Sequence, residues 1–252
     1  MKVFDVEDVI NTPQGKIILI YGPTGIGKTC SVLQSAPLPI GVVQFEERSL
    51  KTAITAADRP ELKNQLNIFQ YEGWEDFLEF LENKSRMIIK LKTLFLDNIS
   101  YLMNIHLSEE IENEAFQARS ETEQKIKPIV SKSKLTIEGY GGLSGNMNRM
   151  MRRLGKYSKQ GVNIVITALE QQYPKWNREL AAAPALKGRE FSDSMPSYFD
   201  LIGRVESRIK DDKITYPPKI VFAGEEDFLH KWTGKTSVTA GPLNLTKIFS
   251  IE

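Results

Sequence analysis

The chain has 252 residues, 41% apolar and 26% charged, with 33 basic side chains against 32 acidic and a formal net charge of +1. These values exclude a mostly disordered chain, a collagen-like one and a histone-like mode in which bulk positive charge does the binding, although a local basic track stays open. One cysteine (Cys30) and two histidines (His106 and His230) exclude an intramolecular disulfide and a cysteine-based metal site, and argue against a zinc enzyme.

No apolar run reaches the roughly 18 residues of a membrane span. Met1 to Thr12 carries Asp5, Glu7 and Asp8 without a basic-then-apolar leader, so a soluble, cytoplasmic protein is expected. The length fits one large α/β domain over 1–252, with an insertion at about 101–135 and a C-terminal β extension from 201.

The first predicted strand is 16–21, a short apolar run rich in β-branched residues that suits burial on both faces. A glycine-rich turn follows, then a helix from Ser31 to Ser35 stopped near Pro37 and Pro39. Further strands are predicted at 40–45, 66–69, 92–97 and 162–168. Trp74, Phe77, Leu78 and Leu81 lie on one face of a helix over 74–84. Strands alternating with helices predict a mainly parallel sheet with helices on both faces.

About 65 residues separate the fourth and fifth strands, more than one crossover needs. Ser108 to Glu123 is acidic and helical in pattern, and Gln124 to Lys134 turns basic. Glu138 to Gly145 is glycine-rich. Met147 to Lys159 predicts a basic helix carrying Arg149, Arg152, Arg153, Lys156 and Lys159. After the fifth strand, Gln171 to Pro196 has no core-forming period, and loops of that length are usually functional or disordered. From Leu201 the pattern is a β-hairpin (201–210 and 219–223, turning at Asp211 and Asp212) and a last short strand.

Chemistry concentrates at Gly22-Pro23-Thr24-Gly25-Ile26-Gly27-Lys28-Thr29, which fits G-x-x-x-x-G-K-[ST] between a buried strand and a helix. Glycines let successive N–H groups line a concave anion site, and the helix adds its positive dipole end. Lys28 reaches the β- and γ-phosphates in such a loop, and the Thr29 hydroxyl holds Mg²⁺. Cys30 sits under the loop as a small buried residue. Asp97 ends an apolar strand and is the second group expected on the Mg²⁺ shell, with Asn98 and Ser100 close behind. Glu46 and Glu47 follow the second strand, where the open end of a parallel sheet holds its ligand. A carboxylate there can orient an attacking water. Strand alternation lets only one of the pair face the nucleotide.

Taken together, the P-loop, the acidic residue after the second strand and the strand ending Asp97-x-x-Ser100 set a pattern. It continues with Gly139-Tyr140-Gly141 before a helix, Thr167-Ala168-x-Glu170, and the Pro-Leu-Asn-Leu tail at 242–245. This constellation resembles the small phage-type P-loop ATPases with a minimal RecA-like core, some of which are single-strand annealing or recombination proteins. The resemblance runs over roughly 14–248. It implies a RecA-like fold, ATP and Mg²⁺ as ligands, and self-assembly into a ring or filament. Single-stranded DNA is the implied substrate, with a single-strand binding protein as a further partner. By its Glu-x-x-Leu setting, Glu47 matches the water-activating glutamate. Gly139–Gly145 and Gln171–Pro196 match two mobile loops lining the DNA channel, and Thr167 and Gln171 lie near the γ-phosphate sensor. Leu169 stands where members carry a histidine. Lys231 and Lys235 stand near a family arginine and are the matches for a basic residue that reaches the neighbouring subunit's phosphates.

DNA contact is expected from Tyr173, Lys175, Trp176, Arg178, Lys187 and Arg189, where aromatic and basic side chains interleave, and from Arg149, Arg152 and Arg153. The alternatives are an ATPase acting on a protein partner, a small-molecule kinase, and a binding module that does not hydrolyse ATP. His106 and His230 are read as structural or surface residues.

Overall fold

The computed structural model describes residues 5–7, 12–111, 135, 137–174, 180–210, 213–223, 227–233 and 240–250. Its framework is one sheet in the order β3-β2-β4-β5-β1-β7-β8-β9, with β6 paired to the end of β5. The strands are β1 Ile17–Gly22, β2 Ile40–Gln44, β3 Leu66–Gln70, β4 Thr93–Asp97, β5 Asn163–Gln172, β6 Ala182–Pro184, β7 Leu201–Lys210, β8 Lys213–Val221 and β9 Ala240–Pro242. β1 to β5 and β7 run parallel; β6, β8 and β9 run antiparallel to their neighbours. The expected architecture, a mainly parallel sheet covered on both faces and ending in a hairpin, is the one observed. The hairpin is no appendage, because β7 pairs directly with β1 through Ile18↔Leu201 to Tyr21↔Arg204.

Alternation along the strands sorts the apolar residues into two cores. Leu19, Leu96, Ile164 and Ile166 face one of them, where they meet helix α3 (Trp74–Asn83) and helix α4 (Ile137–Ser158). Ile18, Ile20, Val42, Phe95 and Val165 face the other, against α1 (Lys28–Ser35) and the C-terminal end of α2 (Lys51–Ala57). Burial on both faces explains why the central strands are apolar at every position instead of every second one. The tail also packs here: Leu243 and Leu245 are buried, and the Ser35 hydroxyl accepts from Leu245 N at 3.0 Å, clamping the end of α1. No helix among the described residues is long and apolar enough to cross a membrane.

Two stretches expected as loops hold helices and strands among their described residues. Gly139 to Gly145 lies inside α4. Leu143, Met147, Met150, Met151, Leu154 and Tyr157 form one buried stripe at helical spacing. Burying that stripe outweighs the roughly 1 kcal/mol that each interior glycine costs. Gly141, Gly145 and Gly155 have open space where a side chain would stand, so packing does not demand glycine at those positions. Within Gln171 to Pro196, β5 extends to Gln172 and turns back as β6, then α5 (Arg189–Ser194) and a 3₁₀ turn over Met195–Tyr198 follow. The two stretches meet, because Gly188 lies against the Tyr140 ring. β8 begins at Lys213, six residues before its expected start. Most of the expected insertion, 112–134, lies outside the described residues, as do Asp211 and Asp212.

Candidate functional site

β1 runs straight into the glycine-rich loop, and α1 begins at Lys28. Gly25 (φ +78°) and Gly27 (φ +94°) take the left-handed conformation that lets the amides turn inward. Gly22 is required for a different reason: a Cβ there would stand 2.8 Å from the Val205 carbonyl oxygen. Pro23, Thr24 and Gly25 are exposed, and Ile26 packs partly against the α1 core. No side chain caps the start of α1, so its first amides face the loop.

Lys28 is 8% exposed and points back into the loop, donating to the carbonyl oxygens of Gly22 and Pro23, each at 2.8 Å. Burial lowers its pKa to about 8, against the pull of Asp97, Glu170 and Glu46, which favour the charged form. Cys30 is half-buried against the same core, and burial raises its thiol pKa, which makes it a packing residue.

The sheet order brings Asp97 to this loop. β5 separates β4 from β1, and the Thr29 hydroxyl donates across that gap to Asp97 Oδ2 at 2.8 Å. The Thr167 hydroxyl, on β5, donates to Oδ1 at 2.5 Å. Burial raises the Asp97 pKa; the bonds from Thr167 and Thr29 and the charge of Lys28 oppose that, while Glu46 adds to it. Thr29 and Asp97 therefore offer hydroxyl and carboxylate oxygens within one hydrogen bond of each other. That hard-oxygen pair fits Mg²⁺, which takes few protein ligands and fills its shell with water and phosphate.

Of the two adjacent glutamates, the structure turns Glu46 toward the site. β2 stops at Gln44, whose amide donates to the Glu46 carbonyl at 2.8 Å and to that of Arg48, curling 44–48 into a turn. Strand alternation no longer governs the pair. Glu46 accepts from the Asn98 amide and from Arg48 Nη2 at 2.8 Å, whereas Glu47 is exposed. The sequence left the pair open and the resemblance pointed to Glu47; here Glu46 is the one bonded to Asn98 and acting on Asp97. Asn98 is buried, and its own carbonyl caps the next helical turn at Tyr101 N, 2.8 Å away. Ser100 accepts from Leu169 N at 3.0 Å, locking the end of β4 to the end of β5.

Three further residues carry no sequence motif. His106 ends a π-helical turn (Leu102–His106), lies between the Tyr71 and Tyr101 rings, and has Nε2 2.7 Å from the Phe45 carbonyl oxygen, one residue before Glu46. Arg204 on β7 donates to both carboxylate oxygens of Glu170 (2.8 and 3.3 Å) and lies over the Phe228 ring, 4.1 Å from its centre. Tyr216 on β8 places its ring against Gly27.

Glu170 is only 6% exposed in its side chain. Removing its partner strands a buried charge, which costs about 3–5 kcal/mol. Arg204→Ala is therefore expected to lower Tm by roughly 10 °C. Arg153→Ala, whose partner Glu82 is 54% exposed, is expected to cost under about 1 kcal/mol. Thermal melts of the two variants side by side check this.

The expected DNA-contact residues divide. Tyr173 is 75% exposed and has φ +46°. Arg149 and Arg152 are exposed on α4. Arg153 is paired with Glu82, Arg189 with Asp193 at 3.1 Å, and Lys187 is half-buried. Lys175, Trp176 and Arg178 lie outside the described residues. Lys231 donates to the Pro196 carbonyl oxygen at 3.0 Å within its own chain, and Lys235 lies outside the described residues.

Comparison with solved structures finds the flagellar accessory protein FlaH from Methanocaldococcus jannaschii. It has 14% identity, 86% of this chain and 82% of that one covered, and a TM-score of 0.42. It also finds the KaiC-like protein PH0186 from Pyrococcus horikoshii OT3, at 14% identity, 88% and 84% coverage and a TM-score of 0.43. No curated protein matches the sequence. A family model described as AAA domain matches residues 14–239, a stretch that holds the loop, Asp97 and the strands on either side. With most of its length matched and a P-loop built around Lys28, Thr29 and Asp97, the chain belongs to this AAA-domain family of P-loop ATPases.

Proposed function

We propose that this protein is a RecA-like ATPase that hydrolyses ATP and binds single-stranded DNA, in phage recombination, annealing or repair. The observation that carries the ATPase half is the Thr29–Asp97 hydrogen bond beside a lysine seated inside the loop. Lys28 exchanges its two loop carbonyls for phosphate oxygens and stabilises the charge that develops on them. Thr29 and Asp97 would hold Mg²⁺, which when bound would neutralise phosphate charge. Thr167 keeps Asp97 oriented. Glu46, steadied by Asn98, positions the attacking water.

The DNA half is supported by the β5–β6 hairpin. It grows directly out of Glu170, beside the nucleotide site, and carries an exposed tyrosine at its turn. A base stacks on such a ring, and Arg149 and Arg152 on α4 supply cations for the backbone. Assembly side by side, with Lys231 or Lys235 reaching the next subunit's phosphates and a single-strand binding protein alongside, completes the proposal, as does a cytoplasmic setting in the host cell. In that assembly Lys231 must first leave the Pro196 carbonyl.

The test is ATP hydrolysis with and without single-stranded DNA at two salt concentrations, beside Lys28→Ala and Tyr173→Ala. DNA is expected to stimulate the wild type, the stimulation to fade with salt as phosphate contacts are screened, and Tyr173→Ala to lose it while keeping basal turnover. Hydrolysis indifferent to DNA at both salts would remove the DNA half and leave an ATPase that acts on a protein.

A further inference from the structure

We infer that Tyr216 is the platform on which the base of the nucleotide stacks, an inference that rests on the ATP-binding reading above. Tyr216 is 62% exposed, which is unusual for a large aromatic ring held in a strand of the main sheet. One edge of the ring is fixed: a Cβ added to Gly27 would stand 2.8 Å from Tyr216 Cε1 and 3.4 Å from Cδ1. The ring therefore rests on the phosphate loop itself, at the residue just before α1, and leaves much of its surface to solvent.

The sheet aims it there. β8 pairs with β7 through Arg208↔Thr215 and again through Glu206↔Lys219, so residues 216–218 oppose the single residue Ser207. Such an irregularity kinks the strand and re-aims its side chains. Thr215 Oγ1 donates to the Arg208 carbonyl at 3.2 Å and Arg208 Nη1 to the Pro217 carbonyl at 3.3 Å, which pins the backbone on both sides of Tyr216.

Strand order then decides which end of a nucleotide the ring meets. Asp97 stands at the end of β4, two strands from β1 on one side; Tyr216 stands on β8, two strands from β1 on the other. The terminal phosphates are drawn to Lys28 and to the Thr29–Asp97 pair. The nucleoside end leaves the loop past Gly27, on the β8 side, where a planar base finds a planar ring. Stacking of this kind accepts any base, so the site takes a purine nucleotide by surface area and carries little hydrogen-bond selectivity.

The experiment compares the binding of Mg-ATP and of Mg-tripolyphosphate, which has the phosphates and no base. It uses the wild type, Tyr216→Ala, Tyr216→Phe and Tyr216→Trp. Tyr216→Ala is expected to weaken ATP roughly tenfold or more and to leave tripolyphosphate unchanged. Tyr216→Phe retains wild-type affinity, and the new indole in Tyr216→Trp is quenched by ATP and not by tripolyphosphate. Unchanged ATP affinity in Tyr216→Ala, or equal losses for both ligands, overturns the assignment while leaving the phosphate site intact. A wild type that binds tripolyphosphate and ATP equally well overturns it too. Failure of the wild type to bind either ligand removes the nucleotide reading and this one with it.

Discussion

Glu46→Gln is expected to slow ATP hydrolysis at least about a hundredfold, the lower end of what a positioned general base contributes, with ATP affinity kept within about threefold. The substitution preserves size and shape. The Gln side-chain carbonyl still accepts from Asn98, so the 44–48 turn stays in place. What disappears is the negative charge that orients a water toward the γ-phosphate. The ion pair with Arg48 also goes, but Arg48 is 76% exposed and an exposed pair of that kind carries little energy. Affinity is spared because Glu46 pushes the Asp97 carboxyl toward its protonated form, and removing the charge relieves that repulsion. Glu47→Gln, on an exposed side chain, is expected to change neither constant by more than about twofold. Steady-state phosphate release and equilibrium ATP binding on both variants settle the matter. A dead Glu47→Gln beside an active Glu46→Gln would return the water-orienting role to Glu47.

That choice between two adjacent glutamates lies beyond what a sequence decides. The phosphate loop was legible because its physics is local: glycines at fixed offsets, a lysine and a hydroxyl, all within eight residues. Asp97 was legible because an apolar strand that ends in a carboxylate must end at the open edge of a parallel sheet. Glu46 was not separable from Glu47, since the decision belongs to the Gln44 side chain, which curls the chain after β2 by bonding two carbonyls. Period-two reasoning holds only while the strand lasts. The glycines at 139–145 misled for the opposite reason. Local propensity spoke for a loop, while Leu143 and the methionines behind it already spelled a helical stripe whose burial overrides propensity.

His106, Arg204 and Tyr216 were invisible for a third reason: each acts through a partner remote in sequence. His106 reaches the chain before Glu46 across 61 positions, and Arg204 meets Glu170 across 34. Tyr216 meets Gly27 only because β8 folds back beside β7, which pairs with β1. Sequence shows which residues can do chemistry, and the sheet order decides which of them meet.

The pH response of nucleotide binding should report Lys28 directly. Burial brings its pKa down to about 8 in the ligand-free protein, so the ammonium predominates at neutral pH and is lost as pH rises through that value. Phosphate oxygens favour the charged form and raise the pKa on binding. Binding above about pH 8 must therefore draw in a proton, and affinity for ATP, flat near neutrality, is expected to fall toward tenfold per pH unit once the free lysine is mostly neutral. The ligand-free fold responds with the opposite sign. Between about pH 8 and the unfolded-chain value near 10.4, the unfolded state holds a proton on Lys28 that the native state does not, so this residue's contribution to stability rises with pH across that window. Lys28→Ala removes charge-assisted bonds to phosphate and is expected to cost ATP at least about a hundredfold in affinity. It should leave the ligand-free protein no less stable, because the burial cost of the ammonium outweighs the pull of its two loop carbonyls and of Asp97, Glu170 and Glu46. Titration calorimetry at about pH 8.5 in two buffers of different ionisation enthalpy measures the proton uptake. Wild type should take up a substantial fraction of a proton per ATP and Lys28→Ala none. Equal uptake in both would place the titrating group elsewhere and deny Lys28 its contact with phosphate.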